Sequence, residues 1–469
     1  MSNILILDIG KTNIKVHVLD EHLESRFEKT RRNAVVENPL YPHFDVDAIW
    51  GWFCEAVCEV TDRFSITAIS VTTHGATAAL VDRHGSGNGL VLPVLDYEYD
   101  GPDAITQDYT GVRPDFSETR SPDLSAGLNL GRQLFWLQQR FPQAFGQATD
   151  ILLYPQYWVW RMTGERCAER TSLGCHTYLW APARNDYSSL LHRMGWRALF
   201  PELKTADSLV GPVCSDFIAR TGLPASCQVA VGIHDSNASY LRYLLQNDGQ
   251  PFSVISTGTW AITMTNSGGN AELDESRDML MNVDYRGTPV PCARFMGGRE
   301  YETICYRLGS YPEEPFSVED IETVFADAVY ALPQFCDASG PFSGTPGRIE
   351  GSTDRINGAA LASVYSALML DLELDLLKAR GAVFVEGAFL KNSLLCRLLA
   401  TLRGDNPVYL SNDSTGTVKG AASLALSDPQ SPEGGTRCEP LSIDGLDHYK
   451  AQWRNYCQAV AVESSAASL

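Results

Sequence analysis

Asp235 stands where an apolar run, Val229-Ala230-Val231-Gly232-Ile233-His234, gives way to Ser236, Asn237 and the helical apolar positions Ala238, Tyr240, Leu241 and Leu244. A carboxylate at a strand-to-helix junction is aimed out of the carboxyl end of an α/β sheet, where it can act as a base toward a hydroxyl. Asp at such a junction also caps helices, and Ser236 or Asn237 could cap instead. A second carboxylate, Asp8, ends Ile4-Leu5-Ile6-Leu7 and opens a turn, Gly10-Lys11-Thr12-Asn13. Backbone N–H groups in a tight Gly turn hold phosphate oxygens, and Thr12 and Asn13 add donors. Asp8 at the strand end can hold Mg²⁺, directly or through water. The pattern returns at Phe252-Ser253-Val254-Ile255-Ser256-Thr257-Gly258-Thr259-Trp260, where Thr257 and Thr259 are the donors beside Gly258. One such turn is an ordinary hairpin; two echoing turns point to a bound polyphosphate.

Two further groups complete the candidates. Thr72-Thr73-His74-Gly75 and His234 offer the imidazoles and hydroxyls that grip sugar hydroxyls, although a histidine at a strand end is more often structural. Glu386-Gly387-Ala388-Phe389-Leu390-Lys391-Asn392 reads as a Gly turn opening a helix, suited to an adenine ring or an α-phosphate, or as a simple strand-to-helix turn.

The elements that must position these residues follow from periodicity. Ile4 to Asp20 reads as a hairpin, its second strand alternating Ile14, Val16 and Val18 against Lys15 and His17. Residues 45–63 read as a helix, 68–80 as a strand with a turn at 72–75, 90–100 as a strand and 101–125 as loop. Helices follow around 133–137 and over 151–163. Gln246-Asn247-Asp248-Gly249-Gln250-Pro251 is a breaker and sets the domain boundary, 1–248 and 249–469. The second half continues with a helix over 358–378, a strand over 383–388, a helix over 390–402, a helix of small residues over 414–425 and a polar loop over 428–437. Two related α/β domains facing one another across a cleft are expected.

Composition narrows the function. A chain of 469 residues with 44% hydrophobic and 20% charged residues has ample core. A formal net charge of -20 repels nucleic acid, so a bound polyphosphate must be held by local N–H groups and a metal. The 12 cysteines are scattered. Cys54 and Cys58 lie in an apolar helix with no second ligand pair nearby, which favours buried reduced thiols over zinc. No secretory signal opens the chain and no apolar run is long enough to cross a bilayer, so a cytoplasmic enzyme without a membrane partner is expected.

In order and spacing, D-I-G-K-T-N, G-I-H-D-S-N-A, S-T-G-T-W, V-E-G-A-F-L-K-N and S-T-G-T-V-K-G-A-A together resemble the FGGY carbohydrate kinases over nearly the whole chain. The resemblance implies the duplicated ribonuclease H-like domains of the actin, Hsp70 and hexokinase fold group. It also implies a kinase that moves the γ-phosphate of ATP to a small sugar, with sugar on the N-terminal domain and ATP and Mg²⁺ mostly on the C-terminal one. Asp235 would be the general base and Asp8 would position Mg²⁺. Lys11, Thr12, Asn13 and Thr259, with Thr257 and Gly258, would surround the phosphates; Gly387 and Asn392 would lie on the nucleotide side. His74, Gly75 and His234 would contact the sugar. V-T-T-H-G-A-T-A-A-L-V-D and G-I-H-D resemble the rhamnulokinase and fuculokinase branch, whose substrate is a ketose, often a 6-deoxy-hexulose. A pentulose kinase, or a non-catalytic sugar sensor of the same fold, is the alternative, and a homodimer is the assembly the resemblance implies. Lys11, Gln133, Gln156, Arg294, Glu386 and Ala388 depart from the family pattern.

Overall fold

The computed structural model describes residues 3–269, 271–336, 339–411, 415–426 and 435–467. The chain forms two compact units that divide after Asp248.

The first unit is built on a seven-stranded sheet. Its strands are β1 (Asn3–Ile9), β2 (Asn13–Asp20), β3 (Ser25–Arg32), β4 (Ile66–Thr73), β5 (Leu209–Pro212), β6 (Gln228–Ala230) and β7 (Ile233–His234). The order is β5-β6-β4-β1-β2-β3, with β7 also on β4. β1, β2 and β3 are antiparallel, while β4 runs parallel to β1, and β6 and β7 run parallel to β4. β1 is apolar on both faces and splits its side chains by the two-residue period of a strand. Leu5, Leu7 and Ile9 pack with Phe53 and Val57 of α1 (Val46–Thr61). Ile4 and Ile6 pack with Ala238 and Leu241 of α4 (Asp235–Asn247) and with Val418, Ala421 and Ala422 of α8 (Gly416–Ser423). Each of these Leu, Ile, Val and Phe side chains contributes about 1.5–3 kcal/mol on burial, and the alanines less. Asp8 continues the row of Ile4 and Ile6, so the strand's alternation puts it on the α4 side of the sheet.

α8 is the helix of small residues. A Cβ on Gly420 would stand 1.8 Å from the Ala238 carbonyl oxygen, so the close crossing of α8 and α4 needs glycine there. The described part of 415–426 and residues 281–289 therefore belong with the first unit, although both lie beyond 248 in sequence. Ser414 and residues 428–434 lie outside the described residues.

The second unit repeats the scheme. Its sheet holds β8 (Phe252–Thr257), β9 (Ala261–Thr265), β10 (Met279–Val283), β11 (Pro289–Phe295), β12 (Ala382–Gly387), β13 (Val408–Leu410) and β14 (Thr436–Arg437), in the order β10-β11-β9-β8-β12-β13-β14. β8 pairs antiparallel with β9 and parallel with β12, as β1 does with β2 and β4. The central helix α7 (Gly358–Leu376) is buried nearly all round and forms the core with α6 (Gly297–Arg307).

Several elements differ from the sequence-based expectations. The strand over 68–80 is two strands, β4 and a short Ala78–Val81 that pairs instead with Asp150–Leu153. The helix over 151–163 starts only at Tyr154, because Pro155 suits a first helical turn and Leu153 before it is extended. The strand over 90–100 is reduced to Val94–Leu95, and 101–125 holds short helical turns at Gly101–Ile105, Thr106–Thr110 and Phe116–Thr119. Thr436–Arg437, expected in a loop, pairs with Tyr409 and Leu410. Cys58 is exposed rather than buried. Among the described residues no helix is long and apolar enough to cross a membrane.

Candidate functional site

In the first unit the chemistry gathers at the carboxyl ends of three neighbouring strands. Asp8 of β1 lies opposite Thr72 of β4, and β7 on the other side of β4 sets Ile233 against Thr72 and His234 against Thr73. Asp8 and the first residue of α4, Asp235, therefore leave the same edge of the sheet. Burial pushes the Asp8 carboxyl up to about 7, and the charge of Asp235 adds to the rise against the pull of Lys15. A carboxyl so placed keeps a proton near neutrality or exchanges it for a hard divalent cation, the role open to Asp8. Among the described residues no group of three or more His, Cys, Asp or Glu side chains forms a cage for such an ion.

Asp235 is the first helical residue, not the cap. The cap position falls on His234, whose side chain makes no capping bond. Asp235 Oδ1 accepts the Ser236 N–H at 2.6 Å and the Ser236 hydroxyl at 3.3 Å, and lies 3.2 Å from His234 Nε2. Nothing among the described residues donates to Oδ2. One carboxylate oxygen is thus fixed and the other is left for a ligand.

His234 is buried and held on every side. Its Nδ1–H donates to Asn237 Oδ1 at 2.7 Å, and Asn237 Nδ2 donates to the Val283 carbonyl, which turns Oδ1 toward the ring. Its Nε2 lies 3.7 Å from Cys175 Sγ. Its backbone N–H donates to Thr171 Oγ1 at 3.1 Å. That hydroxyl donates in turn to Glu169 at 2.5 Å, and the Glu169 carboxylate also takes the Thr171 and Ser172 N–H groups. Burial opposes a charge on His234, but the charges of Cys175 and Asp235 outweigh it and move its pKa upward. Burial also opposes a charge on Cys175, and His176 and His234 outweigh that in turn, bringing the thiol down.

His74 is the opposite case. Burial lowers its pKa to about 4, so the ring is neutral. Its Nδ1 lies 3.1 Å from the Gly75 carbonyl and takes the proton there. Among the described residues Nε2 is then a buried acceptor with no partner, placed to take a hydroxyl donor. Gly75 is required: a Cβ there would stand 2.7 Å from His234 Nε2 and 3.5 Å from Cys175 Sγ. Gln133 holds the turn after it, donating from Nε2 to the Ala76 carbonyl at 2.5 Å.

The Asp8–Asn13 turn closes with Gly10 N–H to the Asn13 carbonyl at 2.9 Å, and Asn33 Nδ2 donates to the Gly10 carbonyl at 2.9 Å. Thr12 and Asn13 are exposed. Lys11 points elsewhere. Its ammonium is paired with Asp96 and with Glu98 at 3.1 Å, 5.3 Å from the Phe44 ring and 4.9 Å from that of Tyr97. The same two rings flank His74 at 5.0 and 5.3 Å. Lys11 is therefore brought to the His74 group.

The corresponding turn of the second unit is built differently. Thr257 is buried and its hydroxyl is used within the fold, donating to the Glu386 carbonyl at 2.6 Å and accepting the Phe389 N–H at 3.0 Å. Gly387 has φ +90°, and a Cβ there would stand 1.9 Å from the Thr257 carbonyl oxygen. Gly258 closes on Trp260, and Thr259 is exposed. Asn392 caps the helix Ser393–Arg403 by accepting the Leu395 N–H, and its amide donates to Ser363 and Tyr301. Arg294 is paired with Asp278 at 2.8 Å and lies over the Trp260 ring. Gln156, in the first unit, donates to the Val231 carbonyl at 2.9 Å.

The residues that sequence reasoning missed are Cys175, Glu169, Thr171, Asp96, Glu98, Phe44 and Tyr97. Only the fold brings them to His234, His74 and Lys11.

Comparison with known proteins matches both halves of the chain to models of one family. Residues 3–241 match the FGGY family of carbohydrate kinases, N-terminal domain, and residues 249–433 match Carbohydrate kinase FGGY, C-terminal domain. A solved structure of a carbohydrate kinase from Novosphingobium aromaticivorans is 35% identical, with a TM-score of 0.87, covering 97% of this chain and 98% of that one. An L-fuculokinase from Salmonella typhi is 29% identical over 273 residues, 56% of this chain and 57% of its own length. A probable L-xylulose kinase from Pasteurella multocida is 24% identical over 293 residues, 60% of this chain and 58% of its own. The chain spans somewhat over half the length of the curated relatives it matches.

Proposed function

This chain belongs to the FGGY family of carbohydrate kinases, and from that premise we propose that it transfers the γ-phosphate of ATP to a hydroxyl of a small ketose, a ketohexose of the L-fuculose or L-rhamnulose kind. The observation that carries the reading is the division of labour within Asp235: Oδ1 is held by Ser236 and faces His234, and Oδ2 is open. Oδ2 takes the proton of the sugar hydroxyl as its oxygen bonds to the γ-phosphorus and the bond from phosphorus to the ADP oxygen breaks. The buried, unpartnered Nε2 of His74 accepts a second sugar hydroxyl.

Lys11, with Asp96, is assigned to the sugar rather than to phosphate, since its ammonium lies against the rings that flank His74. Thr12 and Asn13 remain the first unit's groups for the nucleotide. Gly258, Thr259 and Gly387, with Thr257 and Asn392 shaping the backbone around them, are those of the second. Asp8 is the residue assigned to Mg²⁺, and such an ion would offset negative charge on the phosphate oxygens.

ADP release in a coupled assay, with a panel of ketohexoses, pentuloses, polyols and aldoses, tests the proposal. Turnover with 6-deoxy-ketohexoses supports it. Preference for xylulose or ribulose would support instead the pentulose reading, which the L-xylulose kinase relative favours. Sugar binding without ADP release from any member would refute a kinase.

A further inference from the structure

The reading of Asp235 as the base leaves open what fixes the choice between its two oxygens. Ser236 supplies two donors to Oδ1, its N–H and its hydroxyl, but the largest group beside that oxygen is the His234 ring, with Nε2 at 3.2 Å. Because Asn237 presents an oxygen to Nδ1, the proton of a neutral ring would sit on Nδ1. Nε2 would then turn a lone pair toward a carboxylate oxygen, and the two would repel. The contact is favourable only when Nε2 also carries a proton, which makes the ring a cation. A buried cation needs anionic partners, and Cys175 Sγ, itself buried, lies 3.7 Å from the same nitrogen.

Resting on the kinase reading, we infer that Cys175 is a positioning residue of the transfer site: as a thiolate it keeps both nitrogens of His234 protonated, so that Nε2–H holds Asp235 Oδ1 and leaves Oδ2 as the basic oxygen. The groups that face this pair are Asp235, which supports the cation, Glu169 behind Thr171, the neutral His74, and His176 beside the thiol. Cys175 also stands apart from Cys54, Cys167, Cys227, Cys305, Cys396, Cys438 and Cys457: burial raises those thiols, whereas the two histidines beside Cys175 bring it down. Gly75 belongs to the same device, since a Cβ there would press on the imidazole at 2.7 Å from Nε2 and rest against the sulfur at 3.5 Å.

Two measurements test this. The first is ultraviolet thiolate absorbance of the native protein against pH, compared with Cys175→Ser. The parent is expected to hold one thiolate at neutral pH that the variant lacks; no thiolate in the native parent at neutral pH overturns the inference, whether or not the variant folds. The second is the pH profile of kcat/KM. Serine keeps the size but not the charge, so His234 should lose its second proton earlier and the alkaline limb should move down by about 1 pH unit or more. Cys175→Asp, which restores an anion, should move the limb back. An unmoved limb in a folded Cys175→Ser with normal sugar binding overturns the positioning role. The absorbance needs no substrate, so a chain that phosphorylates no sugar fails the kinase reading without touching the pair, and a chain without the thiolate fails the pair alone.

Discussion

The two hairpin turns occupy the same place in two sheets of the same topology and differ in what they carry. Counting back from the turn, Asp8 of β1 and Ser256 of β8 are equivalent: Asp8 pairs with Lys15 and Thr72, and Ser256 with Ile262 and Glu386. The next position is Ile9 in one and Thr257 in the other, and its parallel partner is Thr73 or Gly387. At the first turn the strand ends bring together Asp8, His74, His234 and Asp235; burial moves Asp8 up and His74 down, and neighbouring charges move His234 up. At the second, the hydroxyl of Thr257 ties two backbone segments together and Gly387 lets them touch. The duplicated backbone provides two platforms. Titratable chemistry has been placed on one, and the other is a frame of backbone and hydroxyls suited to a ligand that needs holding rather than reacting.

This contrast can be broken at defined points. Asp235→Asn removes the base and should lower kcat by at least ~10²-fold with sugar binding retained. A loss under about threefold in steady-state assays would take the reaction away from the first turn. Asp8→Asn should impair turnover and also change stability in a way no substitution of Ser256 can. A carboxyl that holds its proton up to about pH 7 when folded, and only to about pH 4 when unfolded, supports the fold below pH ~4 and loses that support as pH rises toward 7. In chelator, Asp8→Asn and the parent should melt alike at pH ~4, and the variant should melt higher at pH 8.

Gly387→Ala should act on the nucleotide alone. The clash with the Thr257 carbonyl and the left-handed φ cost about 1–3 kcal/mol, read as a lower melting temperature and a raised KM for ATP with the sugar KM unchanged. The smallest effect is expected for Lys11→Ala, about threefold to tenfold in sugar KM, because the pair with Asp96 is only partly buried. A larger rise in the KM for ATP would return Lys11 to the phosphate group.

The platforms themselves were legible in the sequence, because a strand followed by a Gly and hydroxyl turn is a local pattern. Asp8, His74, His234 and Asp235 were legible for the same reason, each lying at the end of an apolar run. What surrounds them was not. Cys175 meets His234 across 59 residues and Lys11 meets Asp96 across 85, and neither Cys175 nor Asp96 stands in a pattern of its own. Lys11 was read with the phosphate turn because its neighbours in sequence belong there, but the apolar rings of Phe44 and Tyr97 and the charge of Asp96 draw its long side chain the other way. The departures at Gln133, Gln156 and Arg294 are used on backbone carbonyls and an ion pair, contacts that residue type alone does not specify. Small residues over 414–425 announced a close helix crossing without naming its partner.

The crossing of α8 on α4 also bears on biosynthesis. Ile4, Ile6, Ala238 and Leu241 are covered by Val418, Ala421 and Ala422, so the first unit gains its last layer only when the chain has been made to about residue 426. A ribosome that has released the first 248 residues has released a sheet with one apolar face only partly covered. That face must wait for most of the second unit, residues 249–280 and 290–411, to be synthesised, and a chain cut at the boundary is expected to yield an aggregating fragment rather than a folded domain.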